Sequence, residues 1–206
     1  PLTLHGDGAP CASVGKAGTR SFDVCSFQDV LGRGNTQELT LMIFGIFDKS
    51  KTQLGMSEIW KIVRWSLDTL LLGIWPITDW NGRAWPAGSV AAKRAGKQLA
   101  QGMCAVVWGL KADLDHHAKE WKLKHYNSNS PCEHCDGDKG EVVGMRINNF
   151  RRDADWKTTL VSSEVWKARN PNPHPLFSPA YMSNQNLEMD ELHIMHLGAS
   201  GYLFGS

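Results

Sequence analysis

The sequence has no uncharged apolar run of about 18 residues, the length a helix needs to cross a bilayer, so no membrane span is expected. No signal-peptide pattern opens it, and nucleus or cytoplasm is the expected compartment. Charge of either sign is not in excess: 22 Lys and Arg stand against 21 Asp and Glu, a formal net of +1. The pI near 8.1 falls short of the value of about 9 that marks a strongly basic nucleic-acid binder. Charge balance therefore neither demands nor excludes nucleic acid. Cysteine is scarce and odd in number, five in 206 residues, which argues against a secreted disulfide framework. Cys11, Cys25 and Cys104 are dispersed and read as packing residues. There is no internal repeat and no low-complexity tract.

What is present is an ordinary globular composition, 42% hydrophobic, with nine Trp. The length suits one domain, or one and a half. The chain opens on Pro1 and stops in the apolar run Leu203-Phe204-Gly205-Ser206, so a fragment of a longer protein is expected.

Periodicity orders the chain. Leu2-Thr3-Leu4-His5 alternates and meets Gly6-Asp7-Gly8, a strand delivering Asp7 to its end. Residues 21–31 alternate again, and residues 39–47 (LTLMIFGIF) read as a third, more fully buried strand. An antiparallel meander is expected. Residues 56–73 change period: Met56, Ile59, Trp60, Val63, Leu67, Leu70 and Leu71 share one helical face, with Gly73 as C-cap. Trp75, Trp80 and Trp85 follow among Pro and Gly. Two readings are open for them, anchoring of the loop and a stacking platform, and anchoring is the commoner. Residues 103–110 form a continuous apolar run, a strand covered on both faces. It leads into Asp113 and a helix carrying Leu114, His117, Ala118 and Trp121. Residues 150–167 read as mostly helical, 169–186 as a Pro/Asn-rich linker, and a further helix is expected from about Leu192. The succession is that of an α/β sheet of mixed strand order.

The chemistry gathers at strand ends. Asp7 and Asp113 both stand where strands stop. If the first and fourth strands are neighbours, both carboxylates emerge at one sheet edge, the donor set that Mg²⁺ prefers. Two such ions could activate a nucleophile and stabilise a leaving oxygen. Asp115 competes with Asp113 but falls in the first turn of the helix, where an Asp commonly caps or meets the dipole. Cys132-Glu133-His134-Cys135 has the spacing of half a tetrahedral Zn²⁺ site. No second Cys-x-x-Cys exists, so His193 and His196, or His134 within the turn, are the candidate complements. A redox dithiol is the competing reading, and the Ser/Asn/Pro and Gly flanks favour a metal knuckle. Basic residues cluster at Lys93/Arg94/Lys97, Lys119/Lys122/Lys124 and Arg151/Arg152, as solvated surface or as a phosphate-binding face.

Four stretches, Leu4-His5-Gly6-Asp7-Gly8, Leu110-Lys111-Ala112-Asp113-Leu114, Pro131-Cys132-Glu133-His134-Cys135 and Leu192-His193-Ile194-Met195-His196, come in an order that resembles the catalytic region of CACTA/EnSpm-type DDE transposases. The tail at 196–205 (HLGASGYLFG) is similar to the same family. The chain also resembles transposon-derived proteins abundant in dinoflagellate genomes. The resemblance implies an RNase H-like mixed sheet flanked by helices, with a small zinc-knuckle insertion after the fourth strand. It implies a core over 1–125, the Cys-x-x-Cys insertion and Pro/Asn-rich linker over 126–186, and the start of a truncated core helix over 187–206. Asp7 and Asp113 would be the first two catalytic carboxylates, holding Mg²⁺ or Mn²⁺. Cys132, Cys135 and His196 would serve zinc. Cys132 follows Asp113 by 19 positions, which suits that pattern and favours Asp113 over Asp115. His193 stands where the family carries Asp, and the third acid is expected beyond Ser206. The implied partner is DNA, with homo-oligomerisation open and no membrane. The implied function is phosphodiester cleavage and strand transfer. The alternative is a catalytically decayed, transposon-derived zinc domain that binds nucleic acid or protein.

Overall fold

The structure is a computed structural model that describes residues 1–10, 21–140 and 144–189. In chain order the strands and helices are β1 (Leu2–Pro10), β2 (Ser21–Asp29), α1 (Thr36–Leu39), β3 (Thr40–Phe47), α2 (Gln53–Leu72), α3 (Val90–Arg94), β4 (Val107–Ala112), α4 (Leu114–Lys119), α5 (Ser163–Arg169) and β5 (Leu187–Met189). The strands form one five-stranded mixed sheet in the order β3-β2-β1-β4-β5, flanked by helices. This is the α/β class that the alternation of periods implies. The chain divides into two compact units. The first holds Pro1–Leu4 and Ala9–Trp108, the second His5–Gly8 and Gly109–Ser206.

Within the first unit, β2 and β3 pair antiparallel from Phe22↔Phe47 to Gln28↔Thr40, with a bulge between Cys25 and Ser26. Gly45 faces Val24 in that register, and a side chain there would run into the Phe22 ring. β3 is the edge strand, so Leu41, Met42 and Phe47 are exposed, contrary to the fully buried strand that its apolar run suggests. An edge strand need not be covered on both faces, and apolar content alone does not reveal position in a sheet. Against β3 lies α2. Thr52 Oγ1 accepts the Gly55 N–H at its start, and Gly73 ends it in the left-handed region at φ 65°. Met56, Trp60 and Val63 are its buried face, and Trp60 meets Phe44 edge to face with ring centroids 5.3 Å apart. Truncating so large a buried indole typically costs about 3–5 kcal/mol.

The strand expected over 103–110 starts later, at Val107. The preceding residues are held by the end of α2 instead: the Ala105 N–H donates to Leu70 O. Trp108 is 66% exposed, so β4 is not covered throughout, and Cys104 is exposed rather than packed. Cys25 is buried as expected, and burial followed by the Asp23 charge pushes its thiol up to about 12. Cys11 lies outside the described residues.

In the second unit, β4 and β5 pair parallel through Leu110↔Leu187, Lys111↔Glu188 and Ala112↔Met189. The short β5 has no counterpart in the sequence reading, because three residues show no period. The helix expected from about Leu192 lies outside the described residues. The helix expected over 150–167 is replaced by a single 3₁₀ turn, Asp155–Thr158, and by α5. Between them the backbone is drawn away: Leu160 bridges Cys135, and the Val161 N–H donates to His134 O at 2.9 Å. Val161 is buried while Leu160 is exposed, the alternation of extended chain rather than of a helix. The core of this unit is Leu110, Trp121, Trp166, Leu176, Phe177 and Met182.

Candidate functional site

Two places carry chemistry, both built from residues of the second unit. The first is the end of β4. β1 neighbours β4 in the sheet, so the strand bearing Asp7 runs beside the strand that Asp113 follows. Both carboxylates are half-buried. Asp113 is the N-cap of α4, where its Oδ1 accepts the His116 N–H at 2.6 Å. Asp115 does not share that task. It sits in the first turn and pairs with Lys119 across 2.7 Å on an exposed face. Of the two Asp residues, Asp113 is the one held at the strand end.

Beneath this edge the sequence reading missed a histidine cluster. His116 and His117 are buried, and both pack on Trp121: His117 stacks at 5.0 Å between centroids and His116 meets it edge to face at 5.1 Å. Gly6 of β1 lies against the His116 imidazole, which a Cβ there would overlap. Gly6 thus lets β1 approach α4, beside Asp7. Burial, then the neighbouring His116, pushes the His117 pKa down to about 4, against an opposing pull from Asp113. Burial, then Lys122 and His116, pushes His174 down to about 3. Both are neutral imidazoles at neutral pH. The signal was available in part: His117 falls at an apolar position of the helix that follows β4.

The second place is the turn Cys132-Glu133-His134-Cys135. The His134 N–H points at Cys132 Sγ across 3.4 Å, and the Gly137 N–H at the Cys135 sulfur. The two thiols share a hydrogen bond. Burial, then that bond, raises the Cys135 pKa above its ordinary value, so a thiolate here needs a cation to stabilise it. The turn is tied on every side. Glu133 Oε1 accepts the Lys124 N–H at 2.6 Å, and its Oε2 accepts Trp166 Nε1–H at 2.7 Å. Lys124 Nζ donates to Cys132 O at 2.7 Å. Asn184 Nδ2 donates to Glu133 O, and Arg169 forms a forked pair with Asp136 at 2.6 and 3.2 Å. The thiols open on a cavity of about 520 Å³ lined also by Lys124, Tyr126, Trp156 and Met189.

Two thiols in a turn, each facing a backbone N–H, fit half of a tetrahedral zinc site by donor chemistry. Among the described residues no group of three or more His, Cys, Asp and Glu gathers to hold a metal ion. His193 and His196, the proposed complements, lie outside the described residues. Asp7 and Asp113 lie on neighbouring elements, and Leu114, next to Asp113, lines the same cavity as Cys132 and Cys135. The described helices include none long and apolar enough to cross a membrane. No family model, curated protein or solved structure matches this chain.

Proposed function

We propose that this chain carries part of a DDE-type polynucleotidyl transferase core, with an RNase H-like sheet and a zinc knuckle that serves structure rather than reaction. The observation that carries the proposal is the adjacency of β1 and β4, with Asp7 in one and Asp113 directly after the other. The strand expected to stop at Asp7 runs on to Pro10, so one carboxylate lies within β1 and the other directly after the neighbouring β4, and such carboxylates suit Mg²⁺ or Mn²⁺. Asp7 and Asp113, with a third acid, would hold the ions beside a DNA phosphate. Bound there, divalent ions supply an activated water or 3′-hydroxyl and stabilise the leaving oxygen. Asp113 is oriented for this by the α4 backbone, which fixes its rotamer through the His116 N–H. Behind it, buried His116 and His117 pack on Trp121. Cys132 and Cys135, with His196, would clip the segment after α4 through zinc.

The test is a Mn²⁺ titration followed by electron paramagnetic resonance, together with DNA nicking by a full-length form. Asp7→Asn and Asp113→Asn are each expected to weaken Mn²⁺ binding by about 10-fold or more, since losing even an outer-shell partner costs that much. Nicking is expected to vanish in both. Unchanged Mn²⁺ binding or surviving nicking in either variant removes the assignment.

One observation favours the second reading, a decayed domain that binds without cutting. The Asp113 carboxylate already serves as a helix cap, a role that suffices to explain its presence. Salt-dependent DNA binding with no nicking by the full-length form would select that reading.

A further inference from the structure

The first unit contains an aromatic cavity that the proposed metal chemistry does not use. It encloses about 330 Å³ and is lined by Trp65, Ser66 and Thr69 of α2 and by Trp75, Trp85 and Leu99 from the chain that follows. That is the lower end of the range of small-molecule sites, about 300–1,000 Å³. Its walls are fixed. Trp85 Nε1–H donates to Pro76 O at 2.9 Å, and Trp65 meets Trp85 and Trp80 edge to face at 6.2 and 6.5 Å. Trp80 Nε1–H donates to Glu58 at 2.7 Å. The Trp75 backbone is pinned in both directions, its N–H to Lys97 O and its carbonyl by the Gly96 N–H. Ser66 and Thr69 spend their hydroxyl protons on the Ile62 and Trp65 carbonyls, so their oxygens offer lone pairs.

The chain that follows α2 makes its side of the rim cationic, while on the α2 side the Glu58 carboxylate is taken up by Trp80. The Arg94 guanidinium stands 5.0 Å from the centroid of the Trp75 ring, and Lys93 and Lys97 are exposed beside it. Over residues 74–102 the charged side chains are Arg83, Lys93, Arg94 and Lys97 against a single acid, Asp79. Asp79 is occupied by the Asn81 and Arg83 N–H groups of its own turn. An indole-lined cavity under a cationic rim suits a flat, uncharged aromatic group joined to an anionic backbone. A methylated ammonium would meet repulsion from the same rim, and a proline-rich peptide would leave the cations without a purpose.

We propose that this cavity captures an unpaired base of a single-stranded nucleic acid, the base against the indoles and its flanking phosphates on Lys93, Arg94 and Lys97. The site extends the nucleic-acid reading above but rests on different residues, none of them acidic and none of them a thiol. A duplex keeps its bases stacked and so presents only its phosphates.

The test uses the whole chain and a short single-stranded oligodeoxynucleotide carrying 2-aminopurine, at about 50 mM salt, where phosphate contacts are strong. Binding is expected to quench both tryptophan and 2-aminopurine emission. An otherwise identical strand with an abasic site is expected to bind about 10-fold more weakly, the scale of one stacked base. The triple variant Lys93→Glu, Arg94→Glu, Lys97→Glu lies wholly on the surface and should keep the native circular dichroism. It is expected to lose about 100-fold in affinity. Trp75→Ala should lose about 10-fold, and Trp75→Phe should retain most of the binding. Equal affinity for the abasic strand, equal affinity for the duplex, or quenching by a proline-rich peptide in place of the oligonucleotide would each overturn the proposal. An Asp7→Asn, Asp113→Asn protein is expected to bind the strand as wild type does, so failure of the metal reading and failure of this one are told apart.

Discussion

Asn184 is fully buried, with 0% of its surface exposed, and its Nδ2 donates to Glu133 O at 3.0 Å and to Val161 O at 3.1 Å. One amide therefore ties the Cys turn to the extended chain at Val161 and to the 3₁₀ turn Asn184–Asn186. Asn184→Leu would leave two carbonyls without their donor. A cost of about 2–4 kcal/mol is expected, read as a lowered urea midpoint with unchanged slope. Asn184→Asp should cost at least as much, because a carboxylate offers acceptors only. A midpoint within experimental error of wild type in both would remove this role. Nothing in the sequence singles Asn184 out, since it lies in a Pro/Asn-rich stretch that reads as linker, and one of its partners is 51 positions away. Asp113 was legible by contrast. It follows an apolar run and precedes a helical period, and both signals are local.

At the scale of elements, α4 is short, yet it brings together His116, His117 and the wall formed by Trp121. His117 and His174 have folded pKa values of about 4 and about 3, below the ordinary histidine value of about 6.5. The unfolded chain thus binds more protons than the folded one as pH falls below about 6.5. Stability from these groups is fully present above that pH and is lost as pH falls toward the folded values, below which it levels off. The expected slope is up to about 1.4 kcal/mol per pH unit for each histidine. Urea midpoints taken from pH 7.5 down to pH 5 check this, and His117→Phe should flatten the curve by roughly half. Midpoints that do not move over that range would contradict the buried, neutral assignment. Among the longer elements, α2 was legible from its 3.6-residue period and from Thr52 and Gly73 at its ends. The expected helix over 150–167 was not, because pairing of Leu160 and Val161 with the Cys turn outweighs a helical spacing that few residues support.

For the molecule as a whole, the second unit is organised less by repeated secondary structure than by side-chain ties that converge on residues 132–137. If zinc closes that turn, chelation removes the cation on which two thiolates depend. Treatment with a strong chelator is expected to lower Tm by about 10 °C, as a loss of roughly 3–5 kcal/mol would in a chain of this size. Amide exchange should quicken over residues 123–184, and Cys132→Ser should reproduce both effects in untreated protein. One zinc per chain by elemental analysis is the companion measurement. A metal-free preparation with the same Tm would leave the turn held by its hydrogen bonds alone. The mixed sheet was legible as a class from the succession of periods. Its strand order was not, because sequence separation says nothing of which strands meet: β1 and β4 are neighbours although about a hundred residues part them.

The sequence by itself determined the residues with chemistry to offer, the helical stripe of α2, the strand-length runs and the spacing of the Cys pair. Each of these is written within a few turns or a few alternations of chain, where local sterics and burial act directly. The tertiary structure alone decided that the strand of Asp7 lies beside the strand of Asp113, that β3 is an edge, and that Asn184 reaches Glu133. It also decided that three indoles close a cavity beneath Arg94. Those outcomes depend on packing between segments far apart in sequence, where the free energy of one contact is set by all its neighbours and no local pattern carries it.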